Sequence, residues 1–417
     1  MAHITTIPIE LTQRIMKQAL AALIADTDAP PLPLPHEPPL LFTQVSTAWR
    51  DISLNMPELW AAIKIDDSVP TAPPQIITQW CTRAGVLPLT IELENNGRTD
   101  PQRSQQLLAA SMAFCHRWED IHLRIPFGTF QALVEYNGSY PLLRTLLLSM
   151  TSNVWEGEKI IPMDAPLLRN LTLLESPDLT VDGAWSQLTK LHLNVNDDLV
   201  GVTTTLQSCI NLEELHFALM MHHEFSSSIP PFELPALRSL VTAGRTILPC
   251  ITAPNLVRLD IWGPGFGGEM EDLLVDLRAM VARSACSLNR FSFRIPPNIT
   301  TVQLQNLLEV VPAVTDLRMT FHFVGLLAKF ETVLQAKNVL SKLRTLRVLY
   351  GPKAEESYQP LLNVLNSRLQ NVEGRAKLEE FHMDTHRPVV LPLDVKNEML
   401  ALGNQGLRVE FEVKLIG

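Results

Sequence analysis

Three stretches of the chain carry residue types whose spacing could do chemistry. Gly263, Gly265 and Gly268 in GPGFGG form a GxGxxG between an apolar segment and a helical one, the setting in which glycines let a backbone approach a dinucleotide pyrophosphate. Pro264 stiffens that turn, and no acidic residue closes the next apolar segment, SLNRFSFRI, to take a ribose hydroxyl. A tight exit into a long helix therefore accounts for the glycines. His222, His223 and Glu224 have metal-ligand chemistry, but as chain neighbours on a loop they do not readily converge on one ion. His382 and His386 stand four apart, yet His382 lies in a strand-like segment, where that interval does not bring two imidazoles together. No GxSxG elbow, Walker sequence or HExxH is present. The expectation is a non-enzymatic protein with no cofactor and no bound metal.

Five cysteines, Cys81, Cys115, Cys209, Cys250 and Cys286, are widely separated, odd in number and without a CxxC pair. That usage predicts buried free thiols in a reducing compartment. Glu10, Arg14 and Lys17 interrupt the first apolar stretch, so it does not read as a signal-peptide hydrophobic region. No uncharged apolar run approaches the ~18 residues that span a bilayer. A cytoplasmic or nuclear location follows as the expectation, which makes the sequons at Asn137, Asn170 and Asn298 chance matches. A net charge of −10 and a pI near 5.6 argue against nucleic-acid or anionic-membrane partners, which require a basic surface.

The elements that would position any binding residue come from a repeat. SKLRTLRVLYG at Ser341 has apolar residues at Leu343, Leu346 and Val348, and the same frame begins at Trp118, Leu143, Leu168, Leu188, Leu212, Leu237, Leu256, Leu288, Val314, Leu343 and Leu378. From 118 to 378 is 260 residues over ten intervals, a mean period of 26. A short strand recurring at that period resembles a leucine-rich-repeat solenoid, α/β in class, with a curved parallel sheet. Strand side chains alternate, so frame positions four and six point inward and three, five and seven outward. Pro141, Pro166, Pro235, Pro254 and Pro312 stand two residues ahead of five frames, where they end the preceding segment and fix strand entry. Helical connections are expected at 102–115, 269–285, 301–311 and 358–369, and the alternation of Leu407, Val409, Phe411, Val413 and Leu415 predicts a last, edge-protecting strand.

Ahead of the repeats, Ile7, Leu11, Ile15, Ala19 and Leu23 recur at i+4 steps over 7–25, with Pro8 tolerated at the first helical position. Six prolines follow in 26–39, which predicts an extended or disordered insertion. LLFTQVSTAWRDISL then puts Leu41, Val45, Trp49 and Ile52 on one face of a helix over 40–54, and PELWAAIKID turns into a first strand. The core of these first 65 residues is thin and should lean on something.

IPIEL followed by a helix, then LLFTQVSTAWRDISLNMPELWAAIKI and QWCTRAGVLPLTIEL, resembles the F-box and F-box-like domain in the variant abundant in mushroom-forming fungi. The resemblance covers about the first 95 residues closely and the repeats in architecture. It implies a helical F-box-like domain over 1–60, with the proline-rich insertion at 26–39, and a leucine-rich-repeat solenoid over 61–417. It further implies the substrate receptor of an SCF-type cullin-RING ubiquitin ligase: the box docks on a Skp-family adaptor, and through it a cullin, while the repeats hold a protein substrate. The implied adaptor-binding set is Ile7, Pro8, Glu10, Leu11, Ile15, Leu41, Val45 and Trp49. Ile7 replaces the usual leucine, Ser46, Thr47 and Ala48 stand where cysteine and basic residues are common, and the insertion splits the helices. The alternative is a non-catalytic repeat scaffold without ligase recruitment, its helices a cap on the solenoid.

Among outward positions, His122, His192, His216 and His382 all fall at position five. Arg258, Arg290, Arg294, Arg318 and Arg347 gather in the later copies against Asp260 and Asp316. Such arginines are a candidate site for carboxylate or phosphate on a partner, or a solvated face paired with neighbouring acids.

Overall fold

The computed structural model of the chain describes residues 7–66, 69, 73–95, 100–151, 159–174, 179–183, 185–195, 199–219, 230–245, 247–262, 270–321, 325–336, 338–350, 358–385 and 393–413. GPGFGG, the His222, His223 and Glu224 cluster, His386 and Leu415 lie outside the described residues. Two compact units are present, Met1–Asn196 and Asp197–Gly417.

In the first unit the strands are β1 (Ala62–Ile65), β2 (Leu89–Glu94), β3 (Trp118–Ile125), β4 (Thr145–Met150), β5 (Lys159–Met163), β6 (Asn170–Leu174), β7 (Leu179–Gly183) and β8 (Lys190–Val195). A parallel sheet runs β1-β2-β3-β4-β6-β8, and β5 pairs with β7 separately. The register joins Ile63, Ile91, Ile121, Leu146, Leu171 and Leu191 into one buried rank. In the second unit the strands are β9 (Glu214–Leu219), β10 (Phe232–Glu233), β11 (Ser239–Thr242), β12 (Ile251–Thr252), β13 (Arg258–Ile261), β14 (Arg290–Arg294), β15 (Asp316–Phe321), β16 (Thr345–Tyr350), β17 (Glu380–Thr385) and β18 (Arg408–Val413). There the parallel sheet runs β9-β11-β13-β14-β15-β16-β17-β18, and Leu215, Leu240, Leu259, Phe291, Leu317, Leu346 and Phe381 stack in register toward Val409. The repeated frame is thus the strand register: positions one, four and six are buried, and β18 ends the sheet.

The turn ahead of most framed strands has a common form. The amide of frame position one donates to the carbonyl three residues earlier, as in Leu143 to Tyr140, Leu168 to Ala165, Leu237 to Leu234, Leu256 to Ala253 and Val314 to Val311. Each of the five prolines stands second in such a turn, where its fixed φ is preorganised. Leu188, Leu212 and Leu343 make the same bond without proline. Proline therefore stiffens a turn that the frame makes anyway.

Helices cover Pro101–Met112, Met270–Ser284, Thr301–Glu309 and Gln359–Leu369, close to the expected spans. Thr300 and Gln303 close a reciprocal capping box on the third of these. The helix Leu326–Gln335 was not among the expected spans, and it buries Leu327, Phe330 and Leu334.

Three buried or half-buried arginines bridge neighbouring repeats. Arg117 donates to the Leu87 and Cys81 carbonyls at 2.9 and 3.0 Å, and Arg283 to Leu248 and Ile251 at 3.0 and 2.7 Å. Arg368, fully buried, donates to Leu334, Val339 and Leu340 at 2.9, 2.8 and 2.9 Å. Each guanidinium satisfies carbonyls at the end of a helix or turn, where the backbone leaves acceptors and partial negative charge. Burial, with Arg375 adding to it, pushes Arg368 down to about 10, so it stays charged at neutral pH. All five cysteines are free, and burial pushes the Cys81 and Cys209 thiols up to about 12.

Because Leu346 is fully buried between Leu317 and Phe381, Leu346→Ala should destabilise the second unit by ~2–5 kcal/mol in denaturant unfolding. A cost near zero would put Leu346 outside the shared core.

Candidate interaction surfaces

Near the start of the described chain, α1 (Ile9–Thr27) follows Pro8, whose extended backbone (φ −54°, ψ 145°) makes it the flanking N-cap rather than the first helical residue. The helix buries Thr12, Met16 and Leu20, the row beside the Leu11 and Ile15 row. The chain is apolar at 15, 16 and 19–24, a stripe wide enough for either row to turn inward. Packing against the next helical segment selects the row with Met16 and Leu20 and leaves Leu11 and Ile15 at 51% and 42% exposure. Lys17 reaches Glu58 at 2.9 Å, and that hydrogen bond lowers the Glu58 pKa. Both partners are half exposed, so the pair orients more than it stabilises.

The helix expected over 40–54 is two helices, α2 (Phe42–Val45) and α3 (Thr47–Leu54). Ser46 breaks it: its extended backbone (φ −162°, ψ 169°) interrupts α2, and its hydroxyl accepts from the Trp49 amide as the cap of α3. Leu41 and Val45 stay exposed at 40% and 42%, while Phe42 is buried. Trp49 is half-buried with its ring edge-on to Phe42, centroids 6.1 Å apart. Of the other implied adaptor contacts, Ile7 is half-buried, and Pro8 and Glu10 are exposed.

The proline-rich stretch is partly packed: Pro31, Pro33 and Pro39 are buried, and the Pro31 carbonyl accepts from the Lys64 amide at 2.9 Å. It thereby covers the open edge of β1. Just ahead of β1 in the chain, Trp60 is fully buried, donating to the Ser53 carbonyl at 2.8 Å and meeting Trp80 edge-on at 4.8 Å. The Arg83 guanidinium lies over the Trp60 ring at 4.5 Å. On the outward side of the same sheet, Lys64 stands at 2.5 and 3.0 Å from Glu92 and Glu94. Burial works to lower the Lys64 pKa, but these two carboxylates outweigh it and raise it.

The second surface is the outward face of β13 to β18. In register, position three reads Arg258, Arg290, Asp316, Thr345, Glu380, Arg408, and position five Asp260, Ser292, Arg318, Arg347, His382, Glu410. The structure brings four of the five expected arginines onto acids: Arg258 to Asp260 at 2.5 Å, Arg290 to Asp316 at 2.8 Å, Arg347 to Asp316 at 3.4 Å and Arg318 to Asp384 at 3.5 Å. Asp384 comes from position seven of β17, 66 residues beyond Arg318, a pairing that only the ladder reveals. His382 lies between Glu380 and Glu410 at 3.4 and 3.0 Å. Arg294 is exposed and makes no ion pair among the described residues. One step past the paired Ile261 and Phe293 stand Trp262 and Arg294 on adjoining strands, and Trp262 is 61% exposed. The frame already marks Trp262, position seven of the Leu256 copy, as outward, a signal overlooked in favour of the charged residues.

Among the described residues no three His, Cys, Asp or Glu side chains converge as a metal site, and no helix is long and apolar enough to cross a membrane. No protein-family model and no curated protein matches the sequence. Among solved structures, the chain is similar to the leucine-rich repeat-containing protein LegL7 from Legionella pneumophila, at 12% identity over 86% of this chain and 88% of that one, with a TM-score of 0.28.

Proposed function

We propose that the chain is a substrate receptor of an SCF-type cullin-RING ubiquitin ligase, with α1 and α2 docking on a Skp-family adaptor and the repeats holding the protein to be ubiquitinated. The observation that carries this reading is the pair of exposed i,i+4 apolar stripes, Leu11 with Ile15 and Leu41 with Val45. Six of the thirteen large exposed hydrophobic side chains among the described residues fall in the first 45 positions. Such clustering is what a docking face needs and what a terminal cap facing water does not. The F-box-like resemblance of the same segment supplies the adaptor as its occupant.

The scaffold reading has its own support. Pro31 closes the β1 edge and Trp60 is buried against Trp80 and Arg83 just ahead of that strand, which is the work of a cap. Affinity capture of the full chain from proteasome-inhibited cells separates the two. Recovery of Skp adaptor and cullin together with a ubiquitinated partner supports the receptor; recovery of a partner without either ligase component supports the scaffold.

A further inference from the structure

The outward face of β13 to β16 has a charge pattern that folding does not require. The register sets Arg258 directly beside Arg290 and Arg318 directly beside Arg347. Strands lie about 4.8 Å apart, so these are like-charge pairs at the closest cross-strand distance, an arrangement that costs stability. Asp260, Asp316 and Asp384 relieve it, yet β13 to β16 still carry five outward arginines against the two acids Asp260 and Asp316, on a chain whose net charge is −10. On the next outward row, Trp262 is largely open and Arg294 has no ion pair among the described residues. Tryptophan and arginine are the residue types that dominate protein-binding energetics. Both offer contact area or a bidentate fork at low entropic cost.

We infer that this face binds an acidic peptide segment of a partner protein, with an apolar side chain of the segment seated on Trp262 and carboxylates taken by Arg294 and by the free edges of Arg318 and Arg347. Charge complementarity selects that occupant. A basic segment would meet five guanidinium groups set against only three carboxylates, Asp260, Asp316 and Asp384, and an uncharged one would leave Arg294 desolvated without a partner. The inference rests on the receptor reading only in placing the partner on the repeats.

The test is selection of a random dodecapeptide library displayed on phage, using the full chain as bait, followed by affinity measurement on synthesised winners. Enriched peptides should combine Asp or Glu with an aromatic or leucine side chain, and their binding should weaken as salt is raised. Trp262→Ala and Arg294→Glu should each weaken it at least about tenfold. Arg294→Lys, which keeps the charge and loses the fork, should weaken it less than Arg294→Glu does. Both positions are exposed, so unchanged thermal unfolding shows the variants folded, and Skp adaptor binding should be untouched. Enrichment of basic or uncharged peptides, no enrichment, or winners indifferent to both variants would overturn the inference. Peptide binding that persists without adaptor binding would remove the ligase assignment alone.

Discussion

Trp60→Ala should destabilise the first unit by about 3–5 kcal/mol, the range for emptying a fully buried tryptophan site. The indole is wedged between Trp80 and the Arg83 guanidinium, and its N–H satisfies the Ser53 carbonyl in α3. Truncation therefore leaves a cavity, an orphaned acceptor and an unstacked cation together. Trp80, the ring against it, is itself held by its bond to the Ala62 carbonyl at 2.8 Å. Denaturant unfolding followed by circular dichroism reads the loss. A cost below about 1 kcal/mol would mean that α3 is not anchored through this ring.

Leu11→Glu combined with Ile15→Glu should weaken Skp adaptor binding at least about a hundredfold, because the two side chains form the more exposed stripe of α1 and carboxylates there would be desolvated on docking. The same double variant should leave thermal unfolding unchanged, since the buried row of α1 is Thr12, Met16 and Leu20. That combination separates docking from folding. Met16→Glu makes the converse control: it should destabilise the segment whatever it binds. Adaptor affinity unchanged in the Leu11 and Ile15 variant, measured by pull-down at matched expression, would remove this helix from the interface.

The strands were legible because their signal is short, local and repeated. An inward residue at positions four and six recurs as Leu, Ile, Phe, Met or Val in nearly every copy, and a one-residue slip would expose the entire set. At Thr242 the inward position is polar, and the hydroxyl lies 3.5 Å from the Gly244 carbonyl. The connections were less legible. GLLAKFETVLQ carries helical spacing at Leu327, Phe330 and Leu334, but it begins at Gly325 with φ +82° and no side-chain cap, so its start has no sequence mark. The paired segments β10 and β12 are two residues each and have no periodicity to read.

The candidate surfaces were legible in part. Which row of α1 turns inward depends on what packs against it, and the sequence offers two adjacent apolar rows. Ser46 is a helix-neutral residue within an apolar pattern, and its role as a cap depends on the backbone turning extended there. The arginines of the later copies were visible as a local excess, whereas their partners were not, because Asp316 serves Arg290 and Arg347 from opposite sides and Asp384 reaches Arg318 from two strands away. Nothing in the sequence singles out Arg117, Arg283 and Arg368. Only the carbonyl ends collected around Arg117 and Arg368 make their burial tolerable, and Arg283 meets a similar set while half-buried.

Docking on the adaptor is tested most directly by calorimetric titration of the purified full chain with a purified Skp-family adaptor. A one-to-one complex with Kd at or below about 1 µM, near −8 kcal/mol, is the expected result, with a negative heat-capacity change from burial of the Leu11, Ile15, Leu41 and Val45 stripes. Absence of binding at adaptor concentrations on the order of a hundred times that value, with the chain folded by circular dichroism, would contradict it.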